Sequence, residues 1–280
     1  LRIEEQLLDH LRAGMGAGVG VLEREGVDGL VGLTSLGQDQ RDAVTTLTSS
    51  GDGVALLVGR AGTGKTHTLG AVRVAYERAG WTVVGLAPSA RAARELEAGA
   101  GIDATTIARH LVEQRSVDNR TVIVIDEAGM AGTRDLAQVI DQATTAGAKV
   151  ILVGDHHQLP EVAAGGTFRA AIDLLGDRVA ELHVNRRQQE PWEQAALDQL
   201  RNGDVPTAFA AYREHGRVVI ADTAADLHAI AVADWVAARS DGETLLLAGT
   251  RAETRLLNRL ARERLVELGR LDLSDQVEFA

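Results

Sequence analysis

Two kinds of apolar pattern alternate along the chain. Short runs of consecutive apolar, largely β-branched residues occupy 54–58, 82–86, 121–125 and 150–153, and such runs are typical of strands buried on both faces of a parallel sheet. Between them, apolar residues recur every three or four positions, as at 69–79 and 136–146, which predicts amphipathic helices. The alternation predicts an α/β fold with a mainly parallel sheet.

Both ends of the chain have a weaker pattern. A helical stripe at 1–11 is interrupted by the glycine-rich run 14–20, so we interpret residues 1–32 as a connector helix and a linker. Past residue 177 the pattern predicts a smaller set of elements, which are strands at 179–184, 217–220 and 244–247 and helices at 192–200, 205–212 and 252–268. We therefore divide the chain into 1–32, 33–177 and 178–280.

Composition excludes several classes of protein. The 280 residues are 45% hydrophobic and 25% charged, and no apolar run approaches the ~20 residues of a membrane span. The absence of cysteine excludes disulfides and thiolate metal sites and, without a signal peptide, predicts a cytoplasmic protein with no membrane insertion. The net charge of -11 argues against a generally basic surface but leaves a local basic groove open. Because the first residue is Leu1, we expect a piece of a longer chain.

A glycine-rich loop follows the first of these strands. Residues 59–66 satisfy the pattern G-x-x-x-x-G-K-[ST], in which backbone N–H groups and the start of a helix cradle the phosphates of a nucleotide. The lysine reaches the outer phosphates, and the hydroxyl that follows it can ligate Mg²⁺. A chance glycine-rich turn is the alternative. The candidate nucleotide-binding residues are Gly59, Ala61, Gly62, Thr63, Gly64, Lys65 and Thr66.

A pair of carboxylates ends the run 121–125. Ligands of α/β proteins bind at the carboxyl ends of strands, so Asp126 and Glu127 are candidates for chemistry. Asp126 can hold Mg²⁺, and Glu127 can polarise a water for in-line attack on the γ-phosphate. The alternative is a pair of residues that cap a helix.

Four more polar residues are candidates for nucleotide contacts. Gln40 precedes the loop, and its amide suits an adenine edge, although a solvated helix residue is the alternative. Gln158 follows the run 150–153 and could sense the γ-phosphate. Either Arg186 or Arg187 could act as an arginine finger from a second domain, whereas a lone arginine pair is usually solvated surface.

The order and spacing of these motifs resemble those of superfamily-one DNA helicases. Three segments, GLAPSARAARELE, VIVIDEAGM and GDHHQLPEVAAGGTF, are most similar to the RecD-like helicase segment of MobF-class conjugative relaxases of the TraA and TraI type. The resemblance implies a RecA-like ATP-binding domain at 33–177 and a second, partial RecA-like domain at 178–280. We also expect the strand at 150–153 to lie between the loop strand at 54–58 and the strand that ends before Asp126, which would bring Gln158 next to the phosphates. It also implies ATP and Mg²⁺ as cofactors, single-stranded DNA as a partner with 5′ to 3′ movement, and a link to the conjugative transfer machinery.

The same resemblance assigns roles to individual residues. Gln40 would contact adenine, Gln158 would sense the γ-phosphate, and Arg187 would be the arginine of the fourth helicase motif, since it directly precedes Gln188. A further set would lie along the single strand, namely Pro88, Ser89, Ala90, Thr105 and Thr106.

Two departures from the family limit the expected activity. The later helicase motifs are not recognisable, so we expect a second domain truncated after Ala280, and the catalytic tyrosine and histidine triad of the relaxase part is also absent. The resemblance still makes a motor segment the first hypothesis. An ATP-switched DNA-binding module without processive unwinding is the alternative, and an inactive structural segment is a third, against which the intact Lys65, Asp126 and Glu127 argue.

Overall fold

The computed structural model describes residues 2–32, 34–155, 166–240 and 242–272. The chain forms two compact units, Leu1–Gln194 and Ala195–Ala280. The described residues of the first unit form a six-stranded, wholly parallel sheet, with β1 (Val54–Gly59), β2 (Thr82–Ala87), β3 (Asp103–Thr106), β4 (Thr121–Ile125), β5 (Lys149–Gly154) and β6 (Ala180–Leu182) in the order β3-β2-β4-β5-β1-β6.

This sheet confirms the predicted α/β class and four of its strands. β5 lies between β1 and β4, as the sequence predicts for a strand inserted between the loop strand and the carboxylate strand. β3 was not predicted, because the residues Asp103–Thr106 are mostly polar and pair only at the sheet edge, beside β2. β6 is shorter than the predicted 179–184.

Helices cover both faces of the sheet. The helices of the first unit, up to its end, are α1 (Arg2–Gly14), α2 (Arg24–Gly32), α3 (Gln38–Ser49), α4 (Lys65–Arg78), α5 (Ala90–Ala100), α6 (Ile107–Glu113), α7 (Thr133–Ala146), α8 (Thr167–Leu175) and the start of α9 (Pro191–Arg201). Leu57 of β1 packs in a core that includes residues of α2 to α5, and its neighbours Leu56 and Val58 pack in a second core with residues of α1, α7 and α8. Burial on both faces explains why the strands read as continuous apolar runs.

The helix predicted at 1–11 is present as α1, but the prediction that residues 1–32 stand apart as a connector and linker is wrong. Leu7 and Leu11 of α1 are fully buried in the core that α7 and α8 share. The glycine-rich stretch after α1 is bonded to the amino end of the sheet, where the Gly16 N–H donates to Asp52 Oδ1 at 2.7 Å and Lys149 Nζ donates to Val19 O at 3.4 Å. The amino-terminal residues are therefore part of the first unit.

The boundary predicted at residue 177 also moves. Strand β6 pairs with β1, so the chain stays within the first unit until Gln194. The second unit contains α10 (Val205–Glu214), α11 (Ala224–Ala238) and α12 (Arg251–Glu267), with a small apolar core of Val232, Val236, Leu257 and Ala261.

Two predicted strands of the second unit are wrong. Residues 217–220 and 244–247 are not strands in the described structure. Alternate apolar residues of the latter segment, Leu245 and Leu247, are 82% and 83% exposed, while Leu246 packs against the small core. An alternating pattern becomes a strand only where a neighbouring chain pairs with its backbone. Among the described helices, none has the length and hydrophobicity needed to cross a membrane.

Candidate nucleotide-binding site

The glycine-rich loop joins the carboxyl end of β1 to α4. Gly62 and Gly64 both have φ near 85°, a left-handed conformation that glycine adopts without steric cost. The Thr63 side chain closes the turn by donating from Oγ1 to Arg60 O at 2.8 Å. The loop residues predicted from the sequence, Gly59 to Thr66, thus form a tight concave turn that ends at a helix N-terminus. Such a turn is suited to an anion, because N–H groups and the positive end of the helix dipole converge there.

Lys65 lies at the mouth of this turn. It is the first residue of α4, and its Nζ donates to Gly59 O at 2.8 Å, so the ammonium folds back across the loop. The side chain is only half-buried, which leaves the ammonium able to turn toward an incoming phosphate. The methyl group of Thr66, the next residue, faces Gly99 on α5, where a Cβ would stand 2.5 Å from Thr66 Cγ2.

Asp126 and Glu127 follow β4 directly and are both half-buried. The Asp126 N–H continues the sheet by donating to Leu86 O at 2.9 Å, and Asp126 Oδ1 accepts the Glu127 N–H at 2.9 Å. Glu127 has φ of 51°, so the chain turns sharply there and separates the two carboxylates. Glu127 occupies the N-cap position of the short 3₁₀ helix Ala128–Met130, but its side chain makes no capping hydrogen bond. The alternative that the two acids serve to cap a helix is therefore wrong.

Charge links Lys65 to both carboxylates. Burial raises the pKa of Asp126, and the positive charge of Lys65 opposes that rise. Burial also raises the pKa of Glu127, as does the adjacent negative charge of Asp126, while Lys65 again opposes the rise. The negative charges of Asp155 and Glu95 raise the pKa of Glu127 by smaller amounts. The cation and the two acids therefore lie within electrostatic reach of one another at the same edge of the sheet.

The structure buries Gln40 beneath the loop. The residue is 1% exposed, so the alternative of a solvated helix residue is wrong. Its Oε1 accepts the Gly37 N–H at 3.0 Å, and its Nε2 donates to Gly64 O at 3.2 Å. The amide thus ties the start of α3 to the loop. Its predicted contact with adenine stays a prediction.

Sequence reasoning missed Asp39, which is bonded more extensively than its neighbour Gln40. Its carboxylate pairs with Arg186 and accepts the N–H groups of His183 and Val184, each at 3.2 Å. Burial alone would raise the pKa of Asp39, but the hydrogen bond and charge of Arg186 and these two N–H groups together lower it to about 2. The available signal was an acid in the first turn of a helix, and that position is common on helices of no special function.

The two arginines lie beside the loop within the first unit. This placement corrects the prediction that they reach the nucleotide from a second domain. Strand β6 pairs with β1 through Gly59 and Leu182, so the chain after β6 necessarily runs next to the loop. The Arg186 N–H donates to Gly62 O at 2.7 Å, and the exposed Arg187 has its Cβ 2.7 Å from the position that a Cβ on Gly62 would take.

The five candidate DNA-contact residues share one part of the sheet edge. Strand β2 runs into the exposed Pro88–Ala90, and the neighbouring β3 ends at Thr106, with Ala87 paired to Thr106. Two of these side chains cap helices, and a third is buried. Ser89 Oγ accepts the Ala92 N–H at 3.2 Å, Thr106 Oγ1 accepts the Arg109 N–H at 3.1 Å, and Thr105 is buried. Their contact with DNA stays a prediction.

One predicted residue cannot be assigned a position. Gln158 lies outside the described residues, as do the flanking residues 156–165. Its assignment as a γ-phosphate sensor therefore stays a prediction. The remaining candidates, from Gln40 to Arg187, all lie at or next to the carboxyl edge of the sheet.

Comparison with known proteins agrees with this geometry. The family model of the AAA domain matches residues 35–223. The chain is 38% identical over 242 residues to a probable conjugal transfer protein TraA of Sinorhizobium fredii, covering 85% of this chain and 22% of that protein. It is 31% identical over 219 residues to the multifunctional conjugation protein TraI of Escherichia coli, covering 74% of this chain and 12% of that protein.

A third relative extends the comparison to helicases. The chain is 33% identical over 141 residues to the ATP-dependent RecD2 DNA helicase of Deinococcus radiodurans, covering 46% of this chain and 19% of that protein. The chain thus spans about a fifth, or less, of the length of these curated relatives. With a family match over residues 35–223 and a phosphate-binding loop followed by paired acids, the chain belongs to the AAA domain family as a helicase-like P-loop ATPase domain.

Proposed function

We propose that this chain is the ATP-dependent motor segment of a conjugative relaxase, which couples ATP hydrolysis to 5′ to 3′ movement on single-stranded DNA. The observation that carries the proposal is that the glycine-rich loop with Lys65, after β1, and the acids Asp126 and Glu127, after β4, lie at the same carboxyl edge of one sheet. The positive charge of Lys65 lowers the pKa of both acids against the rise caused by burial. The names of the relatives, which include conjugal transfer proteins and a DNA helicase, supply the direction in which to test it.

In this proposal each residue at the edge has one task. The N–H groups from Gly62 to Thr66 and the Lys65 ammonium bind the phosphates, and Lys65 leaves Gly59 O to do so. Thr66 and Asp126 would hold a Mg²⁺ ion, which when bound neutralises charge on the outer phosphates. The raised pKa of Glu127 favours its action as the base that orients and deprotonates the attacking water. Arg187 would contact the terminal phosphate.

The single strand would cross the neighbouring part of the same edge. Pro88–Ala90 begin α5, which also packs against α4 where Gly99 meets Thr66. A strand bound at the start of α5 would thereby contact a helix that touches the candidate metal ligand. This continuity supports a coupling of DNA binding to hydrolysis. In the same proposal the second unit is part of a second RecA-like domain, and Gln158 senses the γ-phosphate.

The first experiment measures ATP turnover with and without single-stranded DNA. We expect DNA to raise turnover by about tenfold, within the usual range of coupling between two sites. The Glu127→Gln variant should keep nucleotide affinity and lose turnover by about 100-fold or more. Turnover equal to that of the wild type in this variant would remove Glu127 from its assigned role.

The second experiment separates a motor from a switch. Streptavidin is bound to a biotin at either the 5′ or the 3′ end of a single strand, and ATP-dependent displacement is followed over time. Movement from 5′ to 3′ predicts faster displacement from the 3′ end. Nucleotide-dependent DNA affinity without displacement from either end would favour the switched binding module, and the absence of both would favour an inactive structural segment.

A further inference from the structure

An ion pair between Asp39 and Arg186 joins the first turn of α3 to the segment that follows β6. We propose that this pair is a positioning device, which holds Arg187 over the glycine-rich loop and so gives the site its preference for a nucleoside triphosphate over a diphosphate. The inference rests on the proposed function, because it takes the loop to bind a nucleotide. It concerns Asp39 and Arg186 as positioning residues and assigns neither a contact with the ligand.

The acidic partner is placed to organise the segment after β6. The Asp39 side chain is only 11% exposed, and both of its oxygens are engaged. Oδ2 accepts the N–H groups of His183 and Val184 and the Nη1 of Arg186, each at 3.2 Å, while Oδ1 accepts the Gln40 N–H and pairs with Arg186 Nη2. A single carboxylate thus fixes the backbone of the segment at two successive residues.

The basic partner connects this segment to the loop. Arg186 Nη1 donates to Thr63 O at 3.0 Å, and the Arg186 N–H donates to Gly62 O at 2.7 Å. The Arg186 side chain is 29% exposed, and its guanidinium also donates to Val184 O at 3.0 Å and pairs with Asp39. The sequence offers two adjacent arginines with the same chemistry, and the fold gives them different surroundings, because Arg186 is bonded to Asp39 and Thr63 while Arg187 is exposed.

The consequence falls on Arg187. Its backbone N–H donates to Asn185 Oδ1 at 3.0 Å, and a Cβ on Gly62 would stand 2.7 Å from the Arg187 Cβ. The side chain therefore begins in contact with the loop, from a backbone held on both sides. Its guanidinium is exposed and has no hydrogen bond or ion pair within the described ranges. In the proposed site a cation with this origin contacts the γ-phosphate, which a diphosphate lacks.

Lys65 and the loop N–H groups should act on both nucleotides. In the proposed site they would contact at least one phosphate that a diphosphate and a triphosphate have in common. Loss of Arg187 should therefore weaken the triphosphate more than the diphosphate. Loss of Asp39 or Arg186 should do the same, because either change frees the backbone from which Arg187 starts.

The experiment is a set of affinity measurements on the whole chain. Calorimetry with Mg²⁺ gives the dissociation constants of ADP and of the non-hydrolysable triphosphate AMPPNP for the wild type, Arg187→Gln, Asp39→Asn and Arg186→Gln, and for the double variants that contain Arg187→Gln. We expect Arg187→Gln to lower the preference for AMPPNP by about tenfold, the size of one charge-assisted hydrogen bond. Asp39→Asn and Arg186→Gln should each lower it by at least about threefold, with little change for ADP.

The double variants decide between positioning and independent contacts. If the pair acts through Arg187, adding Asp39→Asn or Arg186→Gln to Arg187→Gln lowers the preference no further. Additive losses, an unchanged preference in the single variants, or equal weakening of both nucleotides would overturn the inference. Wild-type protein that binds both nucleotides without a preference would overturn it while leaving nucleotide binding intact, whereas failure to bind either one would remove the proposed function as well.

Matched variants separate positioning from loss of folding. Arg169→Gln breaks an exposed ion pair with Asp173 on α8 that includes no residue of the loop, and it should leave the preference unchanged. Arg186→Lys keeps the charge but loses the two-pronged geometry, so it should recover only part of the preference. Asp39→Asn is the mildest change in shape, and its thermal unfolding transition shows whether the protein that is measured is folded.

Discussion

The only two lysines of the chain lie at opposite edges of one parallel sheet. Lys65 follows the carboxyl end of β1, is half-buried and donates to the carbonyl of a glycine in a loop that can open toward a ligand. Lys149 begins β5, is fully buried and donates to Asp52 O at 2.8 Å and to Val19 O. Both ammonium groups donate to backbone carbonyls. Only Lys65 is accessible enough to exchange that carbonyl for a phosphate of a ligand.

Position in the sheet separates the cation that we propose binds phosphate from a cation that is enclosed by packing. At the carboxyl edge the chain leaves the strands through polar loops, and two acids lie within reach of Lys65. At the amino edge the glycine-rich segment after α1 lies over Lys149, and a Cβ on Gly20 would stand 2.6 Å from its Cδ. At the carboxyl edge Lys65 can exchange its hydrogen bond for one to a ligand. At the amino edge packed residues enclose Lys149.

The largest expected effect comes from Lys65→Met. This change removes the cation that faces the phosphates, so ATP turnover should fall by about 100-fold or more. The free energy of unfolding should change by less than about 1 kcal/mol, because the side chain is half-buried and loses one hydrogen bond at 2.8 Å and a long one at 3.5 Å. Steady-state kinetics and urea unfolding measure the two quantities. A large loss of stability with little loss of turnover would reverse the assignment.

The matching change at the other edge is Lys149→Met. The carbonyl groups of Asp52 and Val19 lose their donor inside the protein, so the free energy of unfolding should fall by about 1 to 3 kcal/mol. Nucleotide affinity per folded molecule should stay as in the wild type. Urea unfolding at pH 7 tests the first expectation and calorimetry the second. Weakened nucleotide binding in a fully folded variant would contradict the division between the edges.

Lys149 at the amino edge should also make stability depend on pH. Burial lowers the pKa of Lys149 to about 8, against the opposing charge of Asp52, from 10.5 in the unfolded chain. Between these values the unfolded chain binds more protons than the folded protein does, so this residue makes stability rise with pH by up to about 1.4 kcal/mol per unit. The stability difference between wild type and Lys149→Met should therefore grow from pH 8 to pH 10, and a constant difference would disprove the shift.

The smallest expected effect is that of Tyr76→Phe. The buried hydroxyl donates to Gly20 O at 2.7 Å and lies 3.2 Å from Leu47 O, so it helps to hold the glycine-rich segment to the first unit. Removing it should lower the free energy of unfolding by about 1 kcal/mol. Hydrogen exchange of residues 16–22 should become faster than in the wild type, whereas the exchange of β1 should stay the same. Unchanged exchange in this segment would show that Lys149 and Asp52 suffice to hold it.

The helicase-like site was largely predictable because its signals are local. The loop from Gly59 to Thr66 needs glycine, lysine and a hydroxyl at fixed spacing, and Asp126 and Glu127 directly follow a strongly apolar run. The same physics identified four strands and the insertion of β5 between β1 and β4. The strands predicted at 217–220 and 244–247 failed for the opposite reason, since a polar and apolar alternation does not say whether a pairing partner exists.

What the sequence by itself determined is the phosphate loop, the acids beside it and the α/β class, because each depends on residues that are close along the chain. Only the tertiary structure decided that residues 2–32 belong to the first unit, that Asp39 pairs with Arg186, and that Arg186 and Arg187 lie against the loop from the same unit. These contacts join residues more than 30 positions apart, through the pairing of β6 with β1 and the burial of α1. Their partners are chosen by packing of the whole sheet, which no local pattern records.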